Sequence, residues 1–153
     1  MQVSELLDID RISCDHHAAS KKRVLEQLSR LIADSQMDLS QIQVFDSLIS
    51  RERLGSTGFG HGVAIPHGRV KGNSKTIAAM VKLQEGVDYD AVDGQPVDLF
   101  FALLVPENST EEHLQLLAQL AEMFSDSEFV AKLRASPDAQ TLLEAIKTWR
   151  TKD

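Results

Sequence analysis

Apolar residues return along this chain in two rhythms. Val24, Leu28, Leu31 and Ile32 recur at helical spacing behind Ser20, a serine suited to an N-cap. Ile42, Phe45 and Ile49 repeat the pattern behind Ser40, and the spacing predicts a second helix ending near Arg51 or Glu52. The middle of the chain changes rhythm. Gly62 to Ile65, Thr76 to Leu83 and Val97 to Val105 are short apolar runs rich in Val, Ile, Phe and Leu, which reads as strand. Pro106 closes the last run, since proline has no N–H for a ladder. Helical spacing then resumes. Ser109 and Glu112 are spaced as a capping box before a face carrying Leu114, Leu117, Ala121 and Phe124. Ser125 with Glu128 repeats the box, and Ser136-Pro137 predicts a further helix start. Helices, strands and helices again describe a mixed α/β (α+β) domain, with helices on a central sheet. A run as apolar as Val97 to Val105 predicts that both sheet faces are covered.

Composition narrows the class. The 153 residues suffice for one domain with its own core, and 42% apolar with 25% charged residues exclude a disordered or fibrous chain. No apolar run is long enough to cross a bilayer, and Met1 to Asp10 lacks the cationic flank of a secretory signal. One cysteine, Cys14, fits a reducing, cytoplasmic setting. With 23 acidic residues against 16 Lys plus Arg, the net charge of −7 argues against nucleic acid or an anionic membrane as partner. Lys21, Lys22 and Arg23 are read as a solvated helix face, and His16-His17 as exposed.

Six of the eight glycines lie between Gly55 and Gly72, in the stretch RERLGSTGFGHGVAIPHGRVKG that starts at Arg51. Such crowding means unusual backbone or close approach. The spacing excludes the dinucleotide fingerprint, the nucleotide P-loop and the hydrolase nucleophile elbow. Pro66-His67-Gly68 remains, at the end of a short strand. Pro66 restricts its own φ and pushes Ile65 to extended geometry, so His67 is delivered at a defined point. Gly68 puts no side chain beside the imidazole, which leaves room for a visiting macromolecule. A neutral imidazole at cytoplasmic pH is a nucleophile when its other nitrogen is tied by a hydrogen bond; a backbone carbonyl of the glycine-rich region is the expected acceptor.

A phosphoryl group in transfer needs positioning and positive potential. Arg51, at the expected helix end, is suited to grip phosphoryl oxygens. His113, in the first turns of the helix behind Ser109, can donate a hydrogen bond where N–H groups and the helix dipole favour anions. Arg53 and Arg69 are weaker candidates for the same work.

The run Gly55 to Gly68, ending Ile65-Pro66-His67-Gly68, resembles the active-site signature of the fructose/mannitol-type enzyme IIA domains of the bacterial phosphotransferase system, and most of all their nitrogen-regulatory branch. The likeness extends from about Leu6 to the C-terminal helix, through Asp93-Gly94-Gln95-Pro96-Val97-Asp98 and Leu103-Leu104-Val105-Pro106. It implies one IIA domain over residues 1–153, with an ordered core of about 6–148 and a five-stranded mixed sheet flanked by helices on both faces. It implies that His67 takes a phosphoryl group from a phosphohistidine on an HPr-like carrier, that Arg51 and His113 support it, and that no metal or cofactor is required. His61 stands where relatives often carry Asn.

Other readings are weaker. His61 and His67 with distant Cys14, Asp88 and Asp90 show no metal-ligand spacing. Asp88, Asp90 and Asp93 lack the bidentate Glu of a calcium loop. Cys14 reads as a small buried or half-buried residue, and Met123-Phe124 as core. Two functions remain: a regulatory phosphocarrier controlling partners such as potassium transport proteins or sensor kinases, or a sugar-specific IIA passing phosphate to a IIB domain. With neither IIB nor membrane segment attached, regulation is the expectation.

Overall fold

The computed structural model describes residues 3–71 and 75–149; Gly72, the last of the clustered glycines, lies outside them. Helices start where Ser20 and Ser40 stand. Ser20 Oγ accepts from the Arg23 N–H to open α1 (Lys21–Asp34), and Ser40 Oγ accepts from Gln43 to open α2 (Gln41–Leu54). The three later helices begin slightly beyond the expected serines. Thr110 precedes α3 (Glu111–Phe124) with no side-chain cap, while Asp126 and Asp138 cap α4 (Ser127–Arg134) and α5 (Ala139–Thr148). A carboxylate at a helix N-terminus gains from the dipole as well as the hydrogen bond, so each aspartate displaces its neighbouring serine. Ser125 and Ser136 instead turn their hydroxyls back onto the carbonyls of Ala121 and Lys132.

Among the described residues the sheet contains six strands: β1 (Ile12–His16), β2 (Gly58–Gly60), β3 (Val63–Ala64), β4 (His67–Val70), β5 (Ile77–Val87) and β6 (Val97–Pro106). The order is β1-β5-β6-β3-β2, with β4 also on β6. Ala64 pairs Phe100 and His67 pairs Leu103, three residues on in both strands, so the register runs through the gap between β3 and β4. They form one ladder position nicked at Pro66, and the six strands fill five positions. Pro66 still accepts through its carbonyl from Leu103 N–H at 2.9 Å. His67 therefore opens a strand segment rather than closing one. Parallel pairs (β1·β5, β3·β6, β4·β6) and antiparallel ones (β5·β6, β2·β3) make the sheet mixed.

Alternate residues of β5 and β6 feed two cores. Met80, Leu99, Phe101 and Leu103 face α3, α4 and α5, while Val81, Phe100, Ala102 and Leu104 face α1 and α2. This explains why Val97 to Val105 reads as continuously apolar: period two is hidden when both faces are covered. Burying each Phe is worth about 1.5–3 kcal/mol.

Two apolar stripes are shifted from expectation. In α2 the buried residues are Val44, Leu48 and Glu52, with Ile42 exposed; in α3 they are His113, Leu116, Leu120, Met123 and Phe124, with Leu114 exposed. In both helices two apolar stripes are offset by a residue or two, and the helix turns inward the one bearing a polar side chain that has work to do inside.

The glycine stretch acquires two physical explanations. Gly60, His61 and Gly62 turn between β2 and β3 with φ of 115°, 57° and 79°, a run that glycine makes affordable. Gly68 is buried, and a Cβ there would overlap Ser47 Oγ and stand 3.0 Å from the Ser47 carbonyl carbon and oxygen. Its missing side chain lets α2 lie on β4; it does not make way for a visitor. Gly68→Ala should cost about 1–3 kcal/mol in chemical unfolding, and a stability equal to the parent would show that the helix moves freely. No helix among the described residues is long and apolar enough to cross a membrane.

Candidate phosphoryl-transfer site

His67 starts β4 just beyond the Pro66 nick, and its Nδ1 lies 2.9 Å from the carbonyl oxygen of Ile65. A carbonyl accepts only, so Nδ1 carries the proton and Nε2 the free lone pair. The ring is half-buried and lines an open cleft of about 600 Å³. Burial lowers its pKa, the Ile65 bond opposes that, and Arg51 reinforces the lowering. The imidazole is thus held neutral and nucleophilic.

The last turns of α2 form one wall of the cleft through Asp46, Ser47, Ser50, Arg51 and Leu54. Arg51 Nη1 donates to Gly55 O at 2.9 Å, which holds the side chain over the helix end. His113, from the first turn of α3, closes the opposite side. Its ring meets that of His67 edge to face, centroids 5.3 Å apart at 79°. Burial, then the neighbouring His67, Arg69 and Arg51, push its pKa down to about 4. Arg51, His67 and His113, distant in sequence, therefore line one cleft.

Arg69 belongs there too. From β4 it reaches His113 Nδ1 with Nη2 at 3.3 Å and Glu107 O with Nη1 at 3.3 Å. Arg53 is exposed and does not line the cleft. Nor does His61: its N–H donates to Asp93 at 3.0 Å and its carbonyl accepts from Arg134, which fixes the β2–β3 turn.

Glu52 gave no sequence signal of its own beyond falling in the Val44–Leu48 stripe. Its carboxylate is buried and accepts from Thr57 N–H at 2.8 Å, from the Thr57 hydroxyl, and from Tyr89 OH at 3.1 Å. Lys21 sits 3.1 Å from Glu52 Oε1 and 4.4 Å above the Tyr89 ring. Lys21 is therefore half-buried in an ion pair with a buried carboxylate, unlike the solvated face expected of it. Its reach across α2 locks the loop between Arg51 and β2. The expected calcium-loop lookalike is an ordinary turn, with Asp88 accepting from Asp90 N–H and Asp93 from Gln95 N–H. Cys14 is half-buried, as is His16 within β1, whereas His17 is exposed.

A family model described as phosphoenolpyruvate-dependent sugar phosphotransferase system, EIIA 2, matches residues 5–149. The chain is 44% identical over 146 residues to the nitrogen regulatory protein of Pseudomonas aeruginosa, covering 95% of each. It is 39% identical over 147 residues to that of Escherichia coli K12, covering 95% of this chain and 90% of the relative. The crystal structure of nitrogen regulatory protein IIA-Ntr from Neisseria meningitidis superposes with a TM-score of 0.89 at 42% identity, over 94% of this chain and 98% of that one. Mannitol IIA from E. coli shares the fold at 21% identity, with a TM-score of 0.75 over 92% and 98% of the two chains.

Proposed function

Since this chain belongs to the EIIA 2 family of the phosphoenolpyruvate-dependent sugar phosphotransferase system, we propose that it is a cytoplasmic regulatory phosphocarrier charged at Nε2 of His67. The observation that carries this is the tie between Nδ1 and Ile65 O, which leaves one nucleophilic lone pair in a cleft beside cations. The donor is an HPr-like phosphohistidine protein of the nitrogen branch. His67 Nε2 attacks phosphorus in line, a new N–P bond forms, and the donor's N–P bond breaks with its electron pair returning to the donor imidazole. Arg51 and the Nε2–H of His113 receive the phosphoryl oxygens; a charge-assisted bond of that kind is worth about 1.5–3 kcal/mol.

The added group brings about −1.5 to −2 charges to a surface flanked by exposed Leu54 and Leu114. A partner that packs on those leucines in one state meets a dianion in the other, which is how charging would be read by regulated proteins such as potassium transport proteins or sensor kinases. Neither nucleic acid nor membrane insertion is part of this reading. Incubating the full chain with phosphoenolpyruvate, enzyme I and the HPr-type proteins of its own cell should add one acid-labile, alkali-stable phosphoryl group, mapped to His67. Label on any other residue, or none, would defeat the proposal. Rapid loss of label to a IIB domain would replace regulation with the sugar-specific role.

A further inference from the structure

We propose that Arg69 is a positioning residue, setting the tautomer of His113 so that a proton sits on Nε2 before any phosphoryl group arrives. The inference rests on the phosphocarrier reading for its purpose, though not for its chemistry. A guanidinium has five N–H donors and no acceptor. Its Nη2 stands 3.3 Å from His113 Nδ1, so that nitrogen must offer its lone pair, and the single proton of a neutral imidazole goes to Nε2. The second bond of Arg69, from Nη1 to Glu107 O, pins the guanidinium to the turn between β6 and α3.

His113 Nε2 is buried and has no hydrogen-bond partner among the described residues, and the residue as a whole is 6% exposed. An N–H left unpaired in that way is costly, and the His113 ring that bears it meets the His67 ring edge to face, with centroids 5.3 Å apart. A phosphoryl group on His67 would supply the missing acceptor, so the charged state gains what the uncharged state lacks. The opposite tautomer would set N–H against N–H at Arg69 and point a lone pair at the phosphoryl oxygens. The low pKa of His113 keeps it neutral near pH 7, where one proton is shared between two nitrogens and a neighbour can decide its place. A role for Arg69 confined to gripping the phosphoryl group would leave the tautomer untouched, which separates the two readings.

Long-range proton–nitrogen correlation spectra of the uncharged, nitrogen-15 labelled full chain at pH 7 read the tautomer directly. The parent and Arg69→Lys should carry the His113 proton on Nε2, Arg69→Met should show both forms, and Arg69→Glu should move the proton to Nδ1. Phosphoryl uptake at His67 should fall roughly tenfold in Arg69→Met and recover in part in Arg69→Lys. A parent with the proton on Nδ1, an identical tautomer in all four proteins, or unchanged uptake in Arg69→Met would overturn the proposal. Should the parent take up no phosphoryl group, the phosphocarrier reading falls and the purpose with it; the tautomer, read without phosphate, still settles whether Arg69 places the proton.

Discussion

His67→Ala should reduce phosphoryl incorporation from phosphoenolpyruvate, through enzyme I and an HPr-type carrier, to background. The loss is complete because no neighbour can take over. Nδ1 of His113 faces Arg69 at 3.3 Å, and on the tautomer proposed above its Nε2 carries the proton and has no lone pair for phosphorus. Arginine is no acceptor for a stable phosphoryl group at this pH, since its guanidinium stays protonated. The His67 ring is half-buried and contributes one side-chain hydrogen bond, to Ile65. The variant should therefore fold, which its thermal transition would check. His67→Gln refines the test, because its amide can still donate to a carbonyl while offering no nucleophilic nitrogen. Measurable labelling of either folded variant would remove His67 from the mechanism.

Lys21→Met should destabilise the protein by about 3 kcal/mol. The side chain of Glu52 is 1% exposed and that of Lys21 22%, so the pair is only weakly screened. Without Lys21 the carboxylate keeps its bonds from Thr57 and Tyr89 but loses its paired cation, and Asp90, 3.9 Å from the Lys21 ammonium, loses the same neighbour. Tyr89 is fully buried, and that burial, then the same carboxylate, pushes its phenol far above its usual range. Adding Glu52→Gln to Lys21→Met should recover more than half of the loss, since a neutral amide can still bond Tyr89 and needs no cation. Denaturant midpoints of the two variants decide it. A single variant within about 0.5 kcal/mol of the parent would show that the pair is solvated after all.

These two residues illustrate different legibility. His67 stands in an ordered local motif, where proline, imidazole and glycine follow one another, and local constraint is what a sequence displays best. Lys21 stands in a basic triplet that looks like any helix surface. Its partner Glu52 lies 31 positions away and its second partner Tyr89 a further 37, both in segments whose placement depends on packing. Nothing in the spacing of charges announces such a pair. The Val44–Leu48–Glu52 stripe held a clue, a carboxylate at an inward position, and the competing Ile42–Phe45–Ile49 stripe concealed it. His113 is legible as a candidate from its place in the first turns of α3, but its burial is concealed by the expected Leu114–Leu117–Ala121–Phe124 face, of which Phe124 does turn inward. A face chosen by hydrophobicity alone misses a helix that turns inward to place a polar group.

The strands divide likewise. β5 and β6 are long, apolar and visible; β1, β2 and β4 are short, polar or glycine-rich, and become strands only because β5, β6 and β3 offer them paired edges. The chain by itself determined the alternation of helix and strand blocks, the two serine caps, and a proline-braced histidine, because each follows from bonds and contacts within a few residues. Tertiary structure alone decided that β3 and β4 form one nicked strand and that Gly68 makes room for α2. It also decided that Arg69 meets His113, and that Lys21, half-buried, pairs with the buried Glu52. Those outcomes depend on which distant surfaces the two cores press together, and a linear order of residues carries no measure of that.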